Sequence, residues 1–324
     1  MRSFLVRSAA VLGLLCLGGD FAAAQEWQPT RQIKLICPFP AGGGTDLIAR
    51  LAAKELSQRL GQQVFVENRG GANGGIGTQA LMQADPDGYT IGAISDGPMI
   101  INPVFYPNNP YHPLRDFAPI GQMIKFPSLL LANPSTGIKS VGDLIKVAKE
   151  KPGTLNFSSG GIGNFSHMGL ELLAHQTGIK IVHVPYKGVG PATLGVLAGE
   201  VQLMYNNVAT GIEHVRGGKA NALGVGEPKR LEGLAEVPAI AETVPGFEMA
   251  AWVGLFLPAK TPKAIVDRFT KETAAFLQDP EVRKTFQQQF IVAAYKNPDE
   301  YGKYIAAELE RWTQVVKAAG IKPE

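Results

Sequence analysis

Apolar and polar positions follow two periods along the chain, and together they predict a sheet covered by helices. Short apolar runs at 33–37 and 64–67 have the length and composition of strands. Between them, apolar residues recur at 47, 48, 51, 52, 56 and 60, which is one face of a helix over 45–60. Thr45 or Asp46 can cap the start of this helix, and Gly61 its end. Strands alternating with helices indicate a mainly parallel α/β sheet.

The same alternation continues through the rest of the chain. Further strands are predicted at 90–94, 128–132, 154–157, 181–185, 201–205, 221–225 and 252–257. Near the end, three helices begin with the same device, a capping residue followed by proline: Thr261-Pro262, Asp279-Pro280 and Asn297-Pro298. The proline-dotted stretch 98–119 is predicted to be the crossing between two domains.

Composition narrows the class of protein. The chain has 324 residues, of which 45% are hydrophobic and 18% charged, so it has the composition of a globular protein with a large core. The formal net charge of +3 is small, and the charged residues are dispersed along the chain. We therefore do not expect a nucleic-acid partner.

The N-terminus predicts export. Arg2 and Arg7 precede an apolar run at 11–19, and alanines at 22–24 form a small-residue cleavage site. We therefore expect residues 1–24 to be a removed secretory signal. The remaining chain has one cysteine, Cys37, so it has no internal disulfide, and its place in an apolar strand predicts a buried, inert thiol.

Two glycine-rich stretches lie between a predicted strand and a predicted helix. The first, PFPAGGGTD at 38–46, exposes backbone N–H groups beside a helix N-terminus, which is a favourable place for an anion. The alternative is a tight turn without a ligand. The second, SSGGIGNFSH at 158–167, adds serine hydroxyls, and neither stretch contains Arg or Lys. Because ligands of open α/β sheets bind at the carboxyl ends of strands, the two loops suggest one anion held between two lobes.

Signatures of enzymes are weak. The sequence contains no Walker phosphate loop, no strict GxGxxG, no GxSxG and no HExxH. An exported α/β enzyme acting on an acidic substrate stays open as a second hypothesis, and its best candidate bases are Asp46 and His167. A structural role for His167 is the simpler interpretation.

Six segments, taken in order, resemble one family. RQIKLICPFPAGGGTDLIAR, ENRGGANGGIGTQAL, YHPLRDFAPIG, NFSSGGIGNFSHMGLELL, HVPYKGVGPATLGVLAGEVQLMYNN and WVGLFLPAKTP are similar to the Bug family of periplasmic solute-binding proteins, the receptors of tripartite tricarboxylate transporters. The resemblance implies a two-lobed, Venus-flytrap (type II) α/β fold with a ligand cleft between the lobes. It implies lobe 1 at 25–125 and 227–324, and lobe 2 at 126–226.

The resemblance also implies which residues hold the ligand. First-loop contacts fall on Phe39, Pro40, Ala41, Gly42 and Gly43, with Asp46 organising the helix start and Ser95 lining the first-lobe wall. The facing-lobe contacts fall on Ser158, Ser159, Gly160 and Asn164. Asn206 stands where the family often has an Asp, and this disfavours an amino-acid ligand because a neutral amide replaces a carboxylate.

The function implied is capture of a small organic carboxylate, a di- or tricarboxylate or an aromatic acid, in the periplasm. The implied partners are the membrane components of a tripartite tricarboxylate transporter, with a signalling partner as the alternative. The receptor is expected to be a monomer that performs no catalysis and needs no metal or cofactor.

Overall fold

The computed structural model describes residues 26–320 and folds them into two sheets, each covered by helices. The predicted signal segment at 1–24 lies outside the described residues. Over the described range, no helix is both long enough and apolar enough to cross a membrane. Elements are numbered along the chain.

The first sheet has six strands in the order β11-β4-β10-β3-β1-β2. These strands are β1 (Ile33–Cys37), β2 (Val64–Asn68), β3 (Thr90–Ser95), β4 (Phe117–Phe126), β10 (Ala251–Pro258) and β11 (Val292–Lys296). The helices that belong to this half are α1 (Gly44–Leu60), α2 (Gly75–Met82), α3 (Asn102–Phe105), α8 (Lys263–Phe276), α9 (Pro280–Gln288) and α10 (Pro298–Ala319). A π-helical turn at Gly97–Ile101 precedes α3.

The second sheet has five strands in the order β7-β6-β8-β5-β9. These strands are β5 (Ser128–Ala132), β6 (Asn156–Ser159), β7 (Val182–Pro185), β8 (Leu203–Asn207) and β9 (Asn221–Val225). Its helices are α4 (Val141–Glu150), α5 (Phe165–Thr177), α6 (Val189–Ala198) and α7 (Val208–Arg216). Short 3₁₀ turns lie at Pro134–Thr136 and Ile240–Glu242.

The chain passes from the first sheet to the second at Pro127, which alone separates β4 from β5. The prediction that 98–119 forms the crossing is therefore wrong, because this stretch joins β3 to β4 within the first sheet. Its first prolines, Pro98 and Pro103, instead lie at the starts of the π-helical turn and of α3, where a missing N–H costs little.

The sheets are mixed rather than mainly parallel. β1 pairs in parallel with β2 and β3, and β6 with β7 and β8. Antiparallel pairs are made by the four strands next to the crossings between the sheets, which are β4, β5, β9 and β10. These strands run in the opposite direction to the strands of the β–α–β units. Sequence periodicity did not predict β4 or β11. In β4 the apolar pattern is interrupted by Pro119, Gly121 and Gln122.

The chain after β9 stays on the second sheet before it returns. Val225 bridges to Ala239, and Leu234, Val237 and Ala239 pack in one apolar cluster with Leu129 of β5. The resemblance places residues 227–240 in lobe 1, but in the structure the first part of this return segment packs against the second sheet. The return is complete at β10, whose eight residues are all buried in the first sheet.

Candidate functional site

A cavity of about 610 Å³ lies between the two sheets, and both halves contribute to its wall. The first half supplies the β1–α1 loop and the end of β3, and the second supplies the starts of α5, α6 and α7. Nine of the twelve residues predicted from the sequence line this cavity: Phe39, Pro40, Ala41, Gly42, Gly43, Ser95, Gly160, Asn164 and Asn206.

The other three predicted residues lie outside the wall. Ser158 is fully buried and its hydroxyl donates to the carbonyl of Ala192 at 2.9 Å. The Ser159 hydroxyl, also buried, lies 2.5 Å from Nε2 of His183 and accepts from the N–H of Gly161 at 3.1 Å. These hydroxyls shape the second loop from behind, because both are already engaged within their own lobe.

Asp46, the third, holds the first loop in shape. Its carboxylate accepts from the N–H of Gly42 at 2.9 Å, from Nδ2 of Asn68 at 2.8 Å and from Nε of Arg50 at 2.9 Å. The same Asn68 amide donates to the Phe39 carbonyl at 2.9 Å. The left-handed φ of +87° at Gly42 favours glycine there. Asp46 therefore fixes the loop, as the resemblance implied for the helix start.

This arrangement leaves N–H groups of α1 without protein acceptors. The first backbone bond of the helix runs from Leu47 to the carbonyl of Gly43, at 3.0 Å. Within the described part of the chain, the N–H groups of Gly44 and Thr45 have no acceptor, and no side chain caps the helix. Both residues line the cavity. An anion placed there meets unpaired donors and the positive end of the helix dipole.

The second loop is tied to itself in a similar way. The Asn164 side-chain oxygen caps α5 by accepting from the N–H of Ser166 at 3.0 Å and from its hydroxyl at 2.8 Å. The Ser166 hydroxyl in turn accepts from the N–H of Gly160 at 2.9 Å. Nδ2 of Asn164 has no acceptor among the described residues, so it is a neutral donor on the cavity wall.

Five helices begin at the cavity wall. The residues that precede or open them are Gly43, Gly74, Asn164, Gly188 and Asn207, for α1, α2, α5, α6 and α7. The described residues that line the cavity include no Lys, Arg or His. Attraction of an anion into this cavity therefore comes from helix ends and neutral donors rather than from cationic side chains.

Asn206 lines the cavity, and its side-chain amide already forms hydrogen bonds within the protein. Its side-chain oxygen accepts from the N–H of Asn207 at 2.8 Å and from the Thr210 hydroxyl at 2.9 Å, and Nδ2 donates to the Thr193 hydroxyl at 3.2 Å. Its neighbour Asn207 has a buried side-chain oxygen with no partner in the described chain. The geometry thus gives Asn206 the role of bracing β8 and α7.

Several wall residues were not predicted from the sequence. Asn73 lies in the second glycine-rich turn and donates to the carbonyl of Gly163 in the other half at 3.4 Å. Phe126, Tyr205 and Trp252 supply aromatic surface. The Tyr205 hydroxyl lies 2.6 Å from Oγ of Ser128 and 3.0 Å from the carbonyl of Met249, at the crossings. Among these residues, only Asn73 could have been found from the sequence, because it lies in the turn ANG. Its positive φ is typical of asparagine in such a turn.

The two candidate bases of the enzyme hypothesis are poorly placed. Burial raises the pKa of Asp46, but hydrogen bonds from Arg50, Gly42 and Asn68 outweigh it and lower the pKa overall. Nδ1 of His167 accepts from the N–H of Gly163 at 3.1 Å, and the imidazole stacks on His183 with ring centres 3.8 Å apart. Neither residue lines the cavity between the sheets.

Comparison with known proteins agrees with this geometry. Residues 48–321 match the family described as tripartite tricarboxylate transporter family receptor, TctC. Protein BugT of Bordetella pertussis is 34% identical over 322 residues, which are 98% of this chain and 99% of that protein.

Solved structures give the same fold. A structure of an R. palustris protein with adipate is 34% identical, with a TM-score of 0.82, over 91% of this chain and 99% of that one. MatC from Rhodopseudomonas palustris, with bound malate, is 29% identical with a TM-score of 0.77, over 89% of this chain and 99% of that one. The two-lobed binding-protein fold predicted from the sequence is confirmed, and the chain belongs to the TctC family of tripartite tricarboxylate transporter receptors.

Proposed function

We propose that this chain is an extracytoplasmic receptor that captures a small organic carboxylate in the cavity between its lobes. The observation that carries the proposal is the set of unpaired N–H groups at Gly44 and Thr45, at a helix end in a cavity without cationic side chains. A carboxylate fits these donors because it accepts several hydrogen bonds and carries the charge that the helix dipole favours. Related proteins solved with adipate and with malate support the same class of ligand.

The lobes of this proposal follow the two sheets. We assign 25–125 and 227–324 to lobe 1 and 126–226 to lobe 2, with Leu234, Val237 and Ala239 of the segment after β9 packed against β5 of lobe 2. The crossings meet where Gly226 donates to the Ser128 carbonyl at 3.2 Å and Met249 to the Gly226 carbonyl at 2.9 Å. A ligand that contacts both lobes biases a hinge motion about these crossings toward closure.

Delivery completes the proposed function. The exported chain, after loss of residues 1–24, presents the closed complex in the periplasm to the membrane components of a tripartite tricarboxylate transporter. The ligand leaves unchanged, since Asp46 and His167 lie outside the cavity and have partners within their own lobes.

Calorimetric titration of chain 25–324 with matched acids and amides tests this function. We expect one acid of the panel to bind, and its matched amide not to bind, because an amide brings no charge to the helix ends. The acid is then recovered and analysed by mass spectrometry, with the same mass expected. Equal binding of acid and amide would overturn the anion site, and recovery of an altered acid would favour the enzyme.

A further inference from the structure

Asp96 is the one carboxylate among the described residues that line the cavity. It follows β3 directly and is partly buried. It forms no ion pair with any Lys, Arg or His of the described chain, and its carboxylate has no hydrogen bond from a side chain there. A carboxylate in such a cavity is stabilised in its ionised form by a positively charged partner, and the ligand can supply one.

A small side pocket of about 40 Å³ continues from the cavity at Asp96 and Trp252, which line both spaces. The pocket is closed by α10, and its volume suits a group of the size of one or a few water molecules. The indole Nε1 of Trp252 is buried and has no partner in the described chain, so the shared wall also carries an unused donor.

The cations of the side pocket already have partners. Lys125 pairs with Glu248 at 2.8 Å, and Arg311 pairs with Glu308 at 3.1 Å. Asp96 is the remaining charge, so the lining of the side pocket carries one negative charge in excess.

Other ionisable groups around the side pocket do not supply the missing charge. Lys296 of β11 lies over the ring of Tyr304, 4.8 Å from its centre, and forms no ion pair with Asp96. Tyr301 contributes a buried hydroxyl without a partner in the described residues. Burial, with a smaller contribution from Glu308, raises the pKa of Asp96 to about 7, against the opposing effect of the backbone N–H groups of Asp96, Trp252 and Gly97.

We infer that Asp96 receives an ammonium group, and that the ligand is an α-amino acid or a similar small zwitterion. This inference rests on the proposed function, because the ligand's carboxylate lies on the donors of α1. The ammonium group extends toward the side pocket, where it has room and finds an unpaired carboxylate. A second carboxylate at the same place would face Asp96 in a lining that carries one excess negative charge, and would be repelled. On this inference the acidic partner of an amino group stands at the end of β3, rather than at the position of Asn206.

Matched pairs of ligands that differ only by an α-ammonium group test this inference: propionate and alanine, succinate and aspartate, 3-phenylpropionate and phenylalanine. Each is titrated into chain 25–324 at pH 8. We expect an amino acid to bind at least tenfold more tightly than its partner acid. Asp96→Asn should reduce this affinity by about tenfold or more, the size of a charged hydrogen bond. Asp85→Asn, in an exposed turn, removes the same charge far from the cavity and should leave affinity unchanged.

The pH dependence of amino-acid affinity is a second test. Its main measurement is made on the wild-type chain, so it does not depend on whether Asp96→Asn folds. An ammonium group needs the ionised form of Asp96, so affinity of the wild-type chain for the amino acid should rise from pH 6 to pH 8 and be flat in Asp96→Asn. A dicarboxylate that binds more tightly than its amino counterpart, with affinity falling as pH rises, would overturn the inference and leave the proposed function standing. Failure of every acid and every amino acid to bind would overturn both.

Discussion

At the scale of single residues, the loops of this site are shaped by side chains that form hydrogen bonds within their own lobe. Asp46 and Ser166 accept N–H groups of Gly42 and Gly160, and this leaves other donors free at the helix starts. The sequence indicated both loops correctly because glycines between a strand and a helix have few other uses. It did not separate bracing residues from wall residues, since Ser158 and Asn164 can both donate and accept hydrogen bonds and the sequence does not show which way each side chain points.

Gly160 provides a test of the close approach between the second loop and α6. A Cβ built on Gly160 meets Cγ2 of Val189 at 2.9 Å and its backbone nitrogen at 3.1 Å, at the cavity wall. We expect Gly160→Val to displace the start of α6 and lower carboxylate affinity by about tenfold or more, as overpacking costs about 1–3 kcal/mol. Calorimetric titration measures the affinity, and circular dichroism should show a native fold.

Gly190→Val is the matched control. Gly190 lies in the first turn of α6, is exposed, and its added Cβ meets no atom within 4 Å. Its affinity should equal that of the wild-type chain. Equal affinity of the Gly160 and Gly190 variants would mean that the second loop does not contact the ligand.

At the scale of elements, nine of the eleven strands in the described chain were predicted, and the predicted helix caps were partly right. Asp279 and Asn297 cap α9 and α10 as predicted, with their side chains accepting from Glu281 and Glu300. The predicted cap at Thr261 is wrong, because its hydroxyl donates to the Pro258 carbonyl at 2.7 Å and α8 begins at Lys263. Caps depend on local chemistry, whereas β4 and β11 are strands through pairing with distant segments, which local periodicity does not encode.

Asn297 tests the local origin of α10. Its side chain accepts from the N–H of Glu300 at 3.0 Å, and the Glu300 carboxylate accepts from the N–H of Asn297 at 3.2 Å. We expect Asn297→Ala to lower the free energy of unfolding by about 1 kcal/mol and to leave ligand affinity unchanged. Urea denaturation of Asn297→Ala beside Asn297→Asp, which keeps the cap, measures the difference. A loss as large in the Asp variant would refute the capping role.

At the scale of the whole molecule, the fold and the site follow from two β–α–β halves that face each other. The carboxyl ends of parallel strands carry helix starts from both halves to one cavity; periodicity with glycine placement indicated two of these starts, and the resemblance implied the two-lobed fold. The position of the crossing was not predictable in the same way. It depends on Pro127 and on the buried contacts of Ser128 and Tyr205, which join segments far apart in sequence.

Glu227, beside the crossing, predicts how stability depends on pH. Its carboxylate accepts from the N–H of Ser128 at 3.3 Å, and burial raises its pKa from the ordinary 4.5 to about 8. The fold therefore favours the protonated carboxyl. The resulting stabilisation is fully present below pH 4.5 and is lost as pH rises through about 8.

Glu227→Gln keeps a neutral group of the same shape and removes this titration. Between pH 5 and pH 8, we expect the unfolding temperature of the wild-type chain to fall by several degrees relative to that of the variant. Thermal unfolding by circular dichroism at several pH values gives the difference directly, and other titrating groups cancel in it. Parallel curves for the two proteins would show that Glu227 is ionised in the folded chain.

The most direct test of the central claim, that the lobes hold a carboxylate on backbone donors, is thermal unfolding of chain 25–324 against a panel of organic acids and amino acids. A ligand at 100 times its dissociation constant stabilises the fold by about 2.7 kcal/mol, which is a shift of a few degrees for a chain of this size. We predict such a shift for one class of carboxylate in the wild-type chain and, at the same ligand concentration, a shift of about half that size or less in Gly160→Val, because its affinity is about tenfold lower or more. No shift from any carboxylate, or the same shift in both proteins, would contradict the claim.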